Sequence, residues 1–172
     1  MFANTAKKDN HAYYYDNGHG SGIEKGMTAV QNLTDQSLLA DIAINARNWE
    51  IKLAAIEKIN EEDQPLLAYI AKNDGNTSGR VENVAAQKLT DQTLLLEVAK
   101  NAKCYEARIS AIEKLDKEHP QDVFADIAKT DSDIFACNIA LGKLTDQVLL
   151  ADVAQNARYQ SIQEDAAKNL RS

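Results

Sequence analysis

The fifteen residues from Lys88 to Ala102, KLTDQTLLLEVAKNA, have two relatives in the same chain: NLTDQSLLADIAINA from Asn32 and KLTDQVLLADVAQNA from Lys143. Repetition constrains what this chain can fold into more than any other feature. Each copy must adopt the same local structure and bury its apolar face against neighbouring copies. Leu33, Leu89 and Leu144 open the three LTDQ motifs, a period of 56 and then 55 residues. Weaker copies stand halfway between, IEKINEEDQPLLAYIAKND from Ile56 and IEKLDKEHPQDVFADIAKTD from Ile112. Registered on the last apolar residue, the units end at Leu33, Ile59, Leu89, Leu115, Leu144 and Leu170, with spacings of 26, 30, 26, 29 and 26. Four residues before each end stands an alanine: Ala29, Ala55, Ala85, Ala111, Ala140 and Ala166. Composition alone does not place six alanines in one register.

Each unit reads as two helices. In the first, Leu38-Leu39, Ile42-Ala43 and Ala46 recur at helical spacing, as do Leu94-Leu95, Val98-Ala99 and Ala102. Thr34-Asp35, Thr90-Asp91 and Thr145-Asp146 precede these runs, and a short oxygen-bearing side chain there accepts a bond from an orphan N–H of the first turn. In the alternate units Pro65 and Pro120 suit a first-turn position. In the second helix Ile51, Ala55 and Ile59 share a stripe, as do Val81, Ala85 and Leu89, and the small alanine lets backbones approach. The opening MFANTAKKD aligns with VFADIAKTD from Val123, so Met1-Phe2 matches Val123-Phe124 and Ala6 matches Ala128. The expected architecture is all-α: an α-solenoid of about six two-helix units over residues 1–172, with an irregular inserted loop at about 10–22.

A two-helix unit of 26 to 30 residues, with apolar pairs on the first helix and [IV]xxxAxxx[LI] on the second, resembles the HEAT-like repeats of bacterial proteins, the PBS lyase HEAT-like class. The resemblance covers essentially the whole chain and implies a right-handed superhelix presenting extended surfaces to partner proteins. Units of that family often carry an arginine before the conserved alanine, whose charge ladders between repeats. Lys52 and Arg108 fill that slot here, with Gly26, Glu82, Cys137 and Gln163 in the other units. Some members of the wider fold are enzymes. The deoxyhypusine hydroxylases use repeated His-Glu dipeptides as iron ligands, whereas His11, His19 and His119 are not followed by glutamate. The alkylpurine DNA glycosylases need a basic face, and no constellation of residues supports a bilin lyase.

The formal net charge of −7 argues against a nucleic-acid partner, because phosphate neutralisation calls for a Lys/Arg surplus. A basic protein or peptide is electrostatically easier. Cys104 and Cys137 are isolated, without metal-ligand spacing, and read as small packed residues of a reducing, cytoplasmic setting. The start MFANTAKKDN has no apolar targeting core, and no run reaches membrane-spanning length. Neither a cofactor nor a metal site is expected. No Ser-His-Asp or Cys-His set is in evidence, which points to a non-catalytic protein.

Three turns at corresponding places form the first candidate surface. NARNW, NAKCY and NARY set Asn45, Asn101 and Asn156 beside Arg47, Lys103 and Arg158, each followed by an aromatic, Trp49, Tyr105 or Tyr159. Packed helices lie roughly 10 Å apart, so turns two hairpins apart would make a row spaced by roughly 20 Å. Amide, cation and aromatic together match the composition of binding hot spots. The competing expectation is structural: the aromatics pack on the next hairpin and the asparagines cap the first helix. A second candidate is the inserted loop, with Tyr13, Tyr14 and Tyr15, where His11, Asp16 and His19 match no metal motif. The acidic linkers NEEDQ and DKEHPQD read as solvated rims, and the pairs Glu57-Lys58 and Glu113-Lys114 as exposed positions without a role.

The main functional expectation is a scaffold binding a peptide or protein along one face. The competing one is an acidic inhibitor or immunity-type protein that blocks a basic target such as a nuclease. Because Ile162, Ala166 and Leu170 of the last helix keep the ordinary repeat register, end-to-end self-association is also expected if that stripe is uncovered.

Overall fold

The computed structural model describes residues 21–73, 79–117 and 121–170. Pro120, the inserted loop up to residue 20 with Tyr13, Tyr14 and Tyr15, and the segment aligned with Val123–Asp131 lie outside the described residues, while residues 21 and 22 begin a helix. Those described form eleven helices and no strand: α1 (Ser21–Gln31), α2 (Gln36–Asn45), α3 (Trp49–Lys58), α4 (Gln64–Asn73), α5 (Arg80–Lys88), α6 (Gln92–Asn101), α7 (Tyr105–Lys114), α8 (Gln121–Thr130), α9 (Ile134–Lys143), α10 (Gln147–Asn156) and α11 (Gln160–Asn169). None of these helices is long and apolar enough to cross a membrane.

The helices pair in sequence, α2 with α3, α4 with α5, α6 with α7, α8 with α9 and α10 with α11. One row of helices then continues through α1, α3, α5, α7, α9 and α11, each packed on the next. The other row holds α2, α4, α6, α8 and α10, with contacts from α2 to α4, α4 to α6 and α8 to α10. Hence each hairpin touches chiefly the hairpins before and after it.

The alternation of buried positions follows the sequence register. Ala55, Ala85, Ala111, Ala140 and Ala166 are fully buried, where a larger side chain would hold neighbouring helices apart. The unit-ending Ile59, Leu89, Leu115 and Leu144 are buried, while Leu33 and Leu170 pack against the core half-buried. Leu39, Ile42 and Ala43 of α2 and Leu95, Val98 and Ala99 of α6 complete the inner faces. In the last helix Ile162 and Ala166 are fully buried by the chain itself. The apolar stripe that would favour end-to-end association is therefore covered at these two positions.

Aspartate rather than threonine does the capping in the LTDQ motif. Asp35, Asp91 and Asp146 hold extended backbone, and their carboxylates accept first-turn N–H groups: Ser37 and Leu38, Leu94, and Val148 and Leu149 respectively. Pro65 is in the first turn of α4, as its fixed φ favours. At the start of α5 the cap is Gly79, whose φ of 79° lies in the left-handed region. A Cβ there would meet the Glu106 carboxylate at 2.6 Å and Cys104 Sγ at 2.8 Å, so glycine is needed for both backbone and space.

Candidate functional site

A glutamine stands at the start of each first helix, after a capping aspartate or, at Gln121, after Pro120. It begins every helix of the α2–α10 row: Gln36, Gln64, Gln92, Gln121 and Gln147. Gln36 Nε2 donates to Lys58 O at 3.3 Å, and its Oε1 accepts Asn60 N–H at 2.9 Å. Gln64 reaches Lys88 O and accepts from Thr90 and Asp91; Gln92 reaches Lys114 O and accepts from Asp116. Gln121 donates to Lys143 O at 3.2 Å and accepts the N–H groups of Thr145 at 2.6 Å and Asp146 at 3.1 Å. In these four hairpins one amide side chain thus ties the unit to its junction with the following one, whereas Gln147 Nε2 donates to Thr145 O at 3.4 Å within its own turn. Gln121→Ala is expected to cost about 1–2 kcal/mol in urea unfolding. A Gln121→Glu variant should recover only part, since the carboxylate keeps the acceptor and loses the donor.

Lysines form a second series running backwards. Lys58 Nζ donates to Gln31 O at 2.5 Å and Lys114 Nζ donates to Gln87 O. Lys88 Nζ reaches Ile56 O at 3.1 Å, Glu57 O at 3.0 Å and Ile59 O at 2.8 Å, and Lys143 Nζ reaches Glu113 O at 2.8 Å. Each ammonium meets the C-terminal carbonyls of the preceding helix in its row, where both unsatisfied acceptors and the helix dipole favour a cation. Lys58 and Lys114 are therefore structural, contrary to the reading of Glu57-Lys58 and Glu113-Lys114 as positions without a role.

The slot before the conserved alanine serves the other end of the hairpin. Lys52 Nζ donates to Ile44 O at 2.8 Å, Arg108 Nη1 to Ala102 O at 3.0 Å, Cys137 Sγ to Ile127 O at 3.5 Å and Gln163 Nε2 to Ala157 O at 2.7 Å. Four different residue types satisfy the same carbonyl end of their partner helix. Arg108 does more. Its Nε and Nη2 make a two-pronged contact with Asp131 at 2.8 and 2.7 Å, and both side chains are about nine-tenths buried. The hydrogen bonds to Asp131 raise the guanidinium pKa further above its already high ordinary value, against the opposing effect of burial.

Above this ion pair a polar cleft of about 460 Å³ opens between the C-terminal ends of α6 and α8. Lys100, Asn101, Arg108, Asp126, Thr130 and Asp131 are among the groups that line it. Of the turn residues singled out in the sequence, Asn101 lines this cleft, and Lys103 and Tyr105 follow it directly along the chain, both exposed. Tyr105 is 45% exposed, and its hydrogen bond with Glu106 raises the phenol pKa above its usual value. The other two turns differ. Trp49 is half-buried, with the Arg80 guanidinium 4.8 Å from its ring centroid, a cation–π contact from the next hairpin. Tyr159 is half-buried and donates its hydroxyl proton to Ser132 O at 2.6 Å in the preceding hairpin, with Arg158 6.0 Å from its ring centroid. It precedes α11, whereas Trp49 and Tyr105 are the first residues of their helices, so it stands one position out of register.

The amides do not cap. Asn45 and Asn156 are the last residues of α2 and α10, and they donate to the carboxylates of Asp41 at 2.8 Å and Asp152 at 2.6 Å one turn earlier. Arg47 and Arg158 are exposed. Among the described residues, no group of three or more His, Cys, Asp or Glu side chains is placed to hold a metal ion.

Searches against protein-family models, curated proteins and solved structures return no match. The residues themselves are then the only guide to function.

Both thiols are unpaired, and burial pushes each up to about 11. Cys104 is additionally raised by its hydrogen bond to Glu106 at 2.8 Å. Alkylation by iodoacetamide at neutral pH is expected to run roughly a hundredfold slower than for a free thiol, through the reduced thiolate fraction. Both should react at ordinary rates once urea unfolds the chain. Because the folded pKa values are raised, these groups contribute stability that is fully present below the unfolded thiol pKa. That contribution is lost as pH rises through about 11, which unfolding curves across alkaline pH will register.

Sequence reasoning singled out the turn residues and passed over the glutamines and lysines. The signal for the glutamines was present, since all three LTDQ motifs and both alternate units carry one at the helix start. The acceptor carbonyls lie at the far end of the same hairpin and the donor N–H groups in the junction to the next, and periodicity along one helix does not reveal either.

Proposed function

We propose that the chain is a right-handed α-solenoid of HEAT-like units that works without catalysis, holding a peptide or protein along one face. The nearest-neighbour packing of successive hairpins supports the solenoid. The observation that carries the binding reading is the α6–α7 turn. Asn101, Lys103 and Tyr105 leave amide, cation and aromatic groups exposed beside a polar cleft that the Arg108–Asp131 pair holds in place. Rigid scaffolds presenting exposed aromatic and cationic groups suit partner capture. Trp49 and Tyr159 contribute less than Tyr105, since each is already engaged within the chain. A reducing cytoplasmic setting accords with two unpaired, protonated thiols.

The test is affinity capture from the source cell, comparing wild type with an Asn101→Ala, Lys103→Ala, Tyr105→Ala variant of equal helicity. A partner retained by wild type and depleted about tenfold or more by the variant is the expected result. Equal capture by both proteins overturns the placement at this turn. A second reading, an acidic inhibitor of a basic protein, is favoured by Glu61, Glu62 and Asp63, which are exposed in a single turn.

A further inference from the structure

The row α1, α3, α5, α7, α9 and α11 presents an outer face whose composition is not that of the other row. Two of its helices carry the same three-part pattern at one-turn spacing: Glu50, Leu53 and Glu57 on α3, and Glu106, Ile109 and Glu113 on α7. Residues three to four apart share a helix face, so each helix shows an apolar residue between two carboxylates. Val84 on α5 and Ile139 on α9 add apolar side chains one register position later, and between α5 and α7 Ser110 Oγ donates to Asn83 Oδ1 at 2.6 Å. Leu53, Val84, Ile109 and Ile139 are all half-buried, and Phe135 at the start of α9 is 66% exposed. Val84, Ile109 and Ile139 also pack on the core, and Phe135, with the outer parts of these aliphatics, leaves apolar surface in solvent on this face.

Most of the carboxylates on this face of α3 and α7 have no hydrogen-bonded or ion-paired partner among the described residues, Glu106 with its bond from Cys104 being the exception. Glu50, Glu57 and Glu113 make no side-chain hydrogen bond or ion pair among the described residues, and the same holds for Glu24 on α1. The nearby ammonium groups of Lys58, Lys88, Lys114 and Lys143 are held on helix-end carbonyls, and Arg80 lies over Trp49. The other row is different, since its cations and carboxylates pair across hairpins, Lys72 with Glu97 at 2.7 Å and Lys129 with Asp152 at 2.6 Å. A face that sets apolar groups among carboxylates without ion-pair partners complements one chemistry, a segment with an apolar stripe edged by lysine or arginine.

We propose that the outer face of the α3–α5–α7–α9 row is the docking surface for a cationic amphipathic segment of another protein. This rests on the reading of the chain as a binding module, and specifies a face and a partner chemistry that the α6–α7 turn does not. The helices of the row lie roughly 10 Å apart. A helical segment of about 18 residues, about 27 Å long, therefore spans the two acid-edged helices.

The probe is a labelled Leu/Lys peptide of that length with apolar residues at helical spacing, alongside a scrambled peptide of identical composition. One variant neutralises the face by Glu24→Gln, Glu50→Gln, Glu57→Gln and Glu113→Gln. A second removes as many charges from the opposite row by Asp41→Asn, Glu97→Gln, Asp122→Asn and Asp152→Asn. A third, Leu53→Ser with Phe135→Ser, removes apolar groups from the face. By fluorescence anisotropy, wild type and the opposite-row variant are expected to bind within about twofold of each other. The face variant and the apolar variant should each lose about tenfold or more, as should the scrambled peptide. Equal losses in both charge variants reveal attraction by net charge alone and overturn the proposal. So does absence of binding at sub-millimolar peptide, or binding indifferent to the face. Binding abolished only by the Asn101, Lys103 and Tyr105 substitutions would place the site at the turn, rejecting this face while upholding the module.

Discussion

Replacing Arg108 by alanine destabilises the chain by about 3–5 kcal/mol, the largest effect expected of any charged residue in these helices. The loss has three parts. The Asp131 carboxylate, about nine-tenths buried, loses both prongs of its partner. The carbonyls of Ala102 and Lys103 lose their donor at the end of α6. The cleft between α6 and α8 gains an uncompensated charge on its floor. A buried ion pair is weak evidence for net stability, because an apolar pair often does as well, but removal of one partner alone is costly. The double variant Arg108→Met, Asp131→Asn separates the two ideas. Its asparagine keeps an acceptor for the Asp133 N–H, held at 2.8 Å in the native turn. It should be more stable than Arg108→Ala, even though it changes more residues. Urea unfolding followed by circular dichroism measures both. If the double variant is as unstable as the sum of its single variants, the stranded-charge explanation is wrong.

Lys88→Met is the second large effect, about 2–3 kcal/mol. Methionine keeps the length and the apolar stem and removes only the ammonium. Three carbonyls at the end of α3, those of Ile56, Glu57 and Ile59, share that group. Hydrogen bonds to a charged donor are worth more than neutral ones, and the helix dipole adds to them. Lys58→Met and Lys114→Met should cost less, because each ammonium serves one carbonyl oxygen, Gln31 O and Gln87 O. The local signature is faster amide hydrogen exchange in the last turn of α3, with α10 and α11 unchanged. A uniform rise across the chain would show that Lys88 acts globally and not through this helix end.

The repeat register made the helices and their inner faces legible in the sequence. Leu39, Ile42, Val98 and the alanines at 55, 85, 111, 140 and 166 are where their spacing puts them. The capping aspartates were legible too, because a cap acts within its own first turn. Functions that reach beyond one helix were not. Gln64 recognises a turn 24 to 27 residues away, and Lys88 a helix end 29 to 32 residues away. Such partners depend on how one helix lies against the next, which no local pattern encodes. The turn residues show the same divide. The sequence grouped Trp49, Tyr105 and Tyr159 by kind, yet packing divided them. Arg80 reaches Trp49 from one hairpin later, and Tyr159 reaches Ser132 one hairpin earlier. Tyr105 alone of the three is close to half exposed, where a partner can meet it.

Among the described residues the bonds of Lys58, Lys88, Lys114 and Lys143 join adjacent hairpins, the glutamines hold the end of their own hairpin to the junction that follows, and no bond of either series ties one end to the other. Length is therefore a free variable of this architecture. The carbonyls of Gln31 and Gln87 receive the lysines of the next unit, and the two residues stand at the same place in their helices. A chain joined directly from Leu33 to Thr90 would offer Lys114 the Gln31 carbonyl in place of that of Gln87, with the same LTDQ junction. Growth or loss by one double hairpin would re-use the same LTDQ junction and the same lysine-to-carbonyl bond, as the repeated fifteen-residue segment already does along this chain.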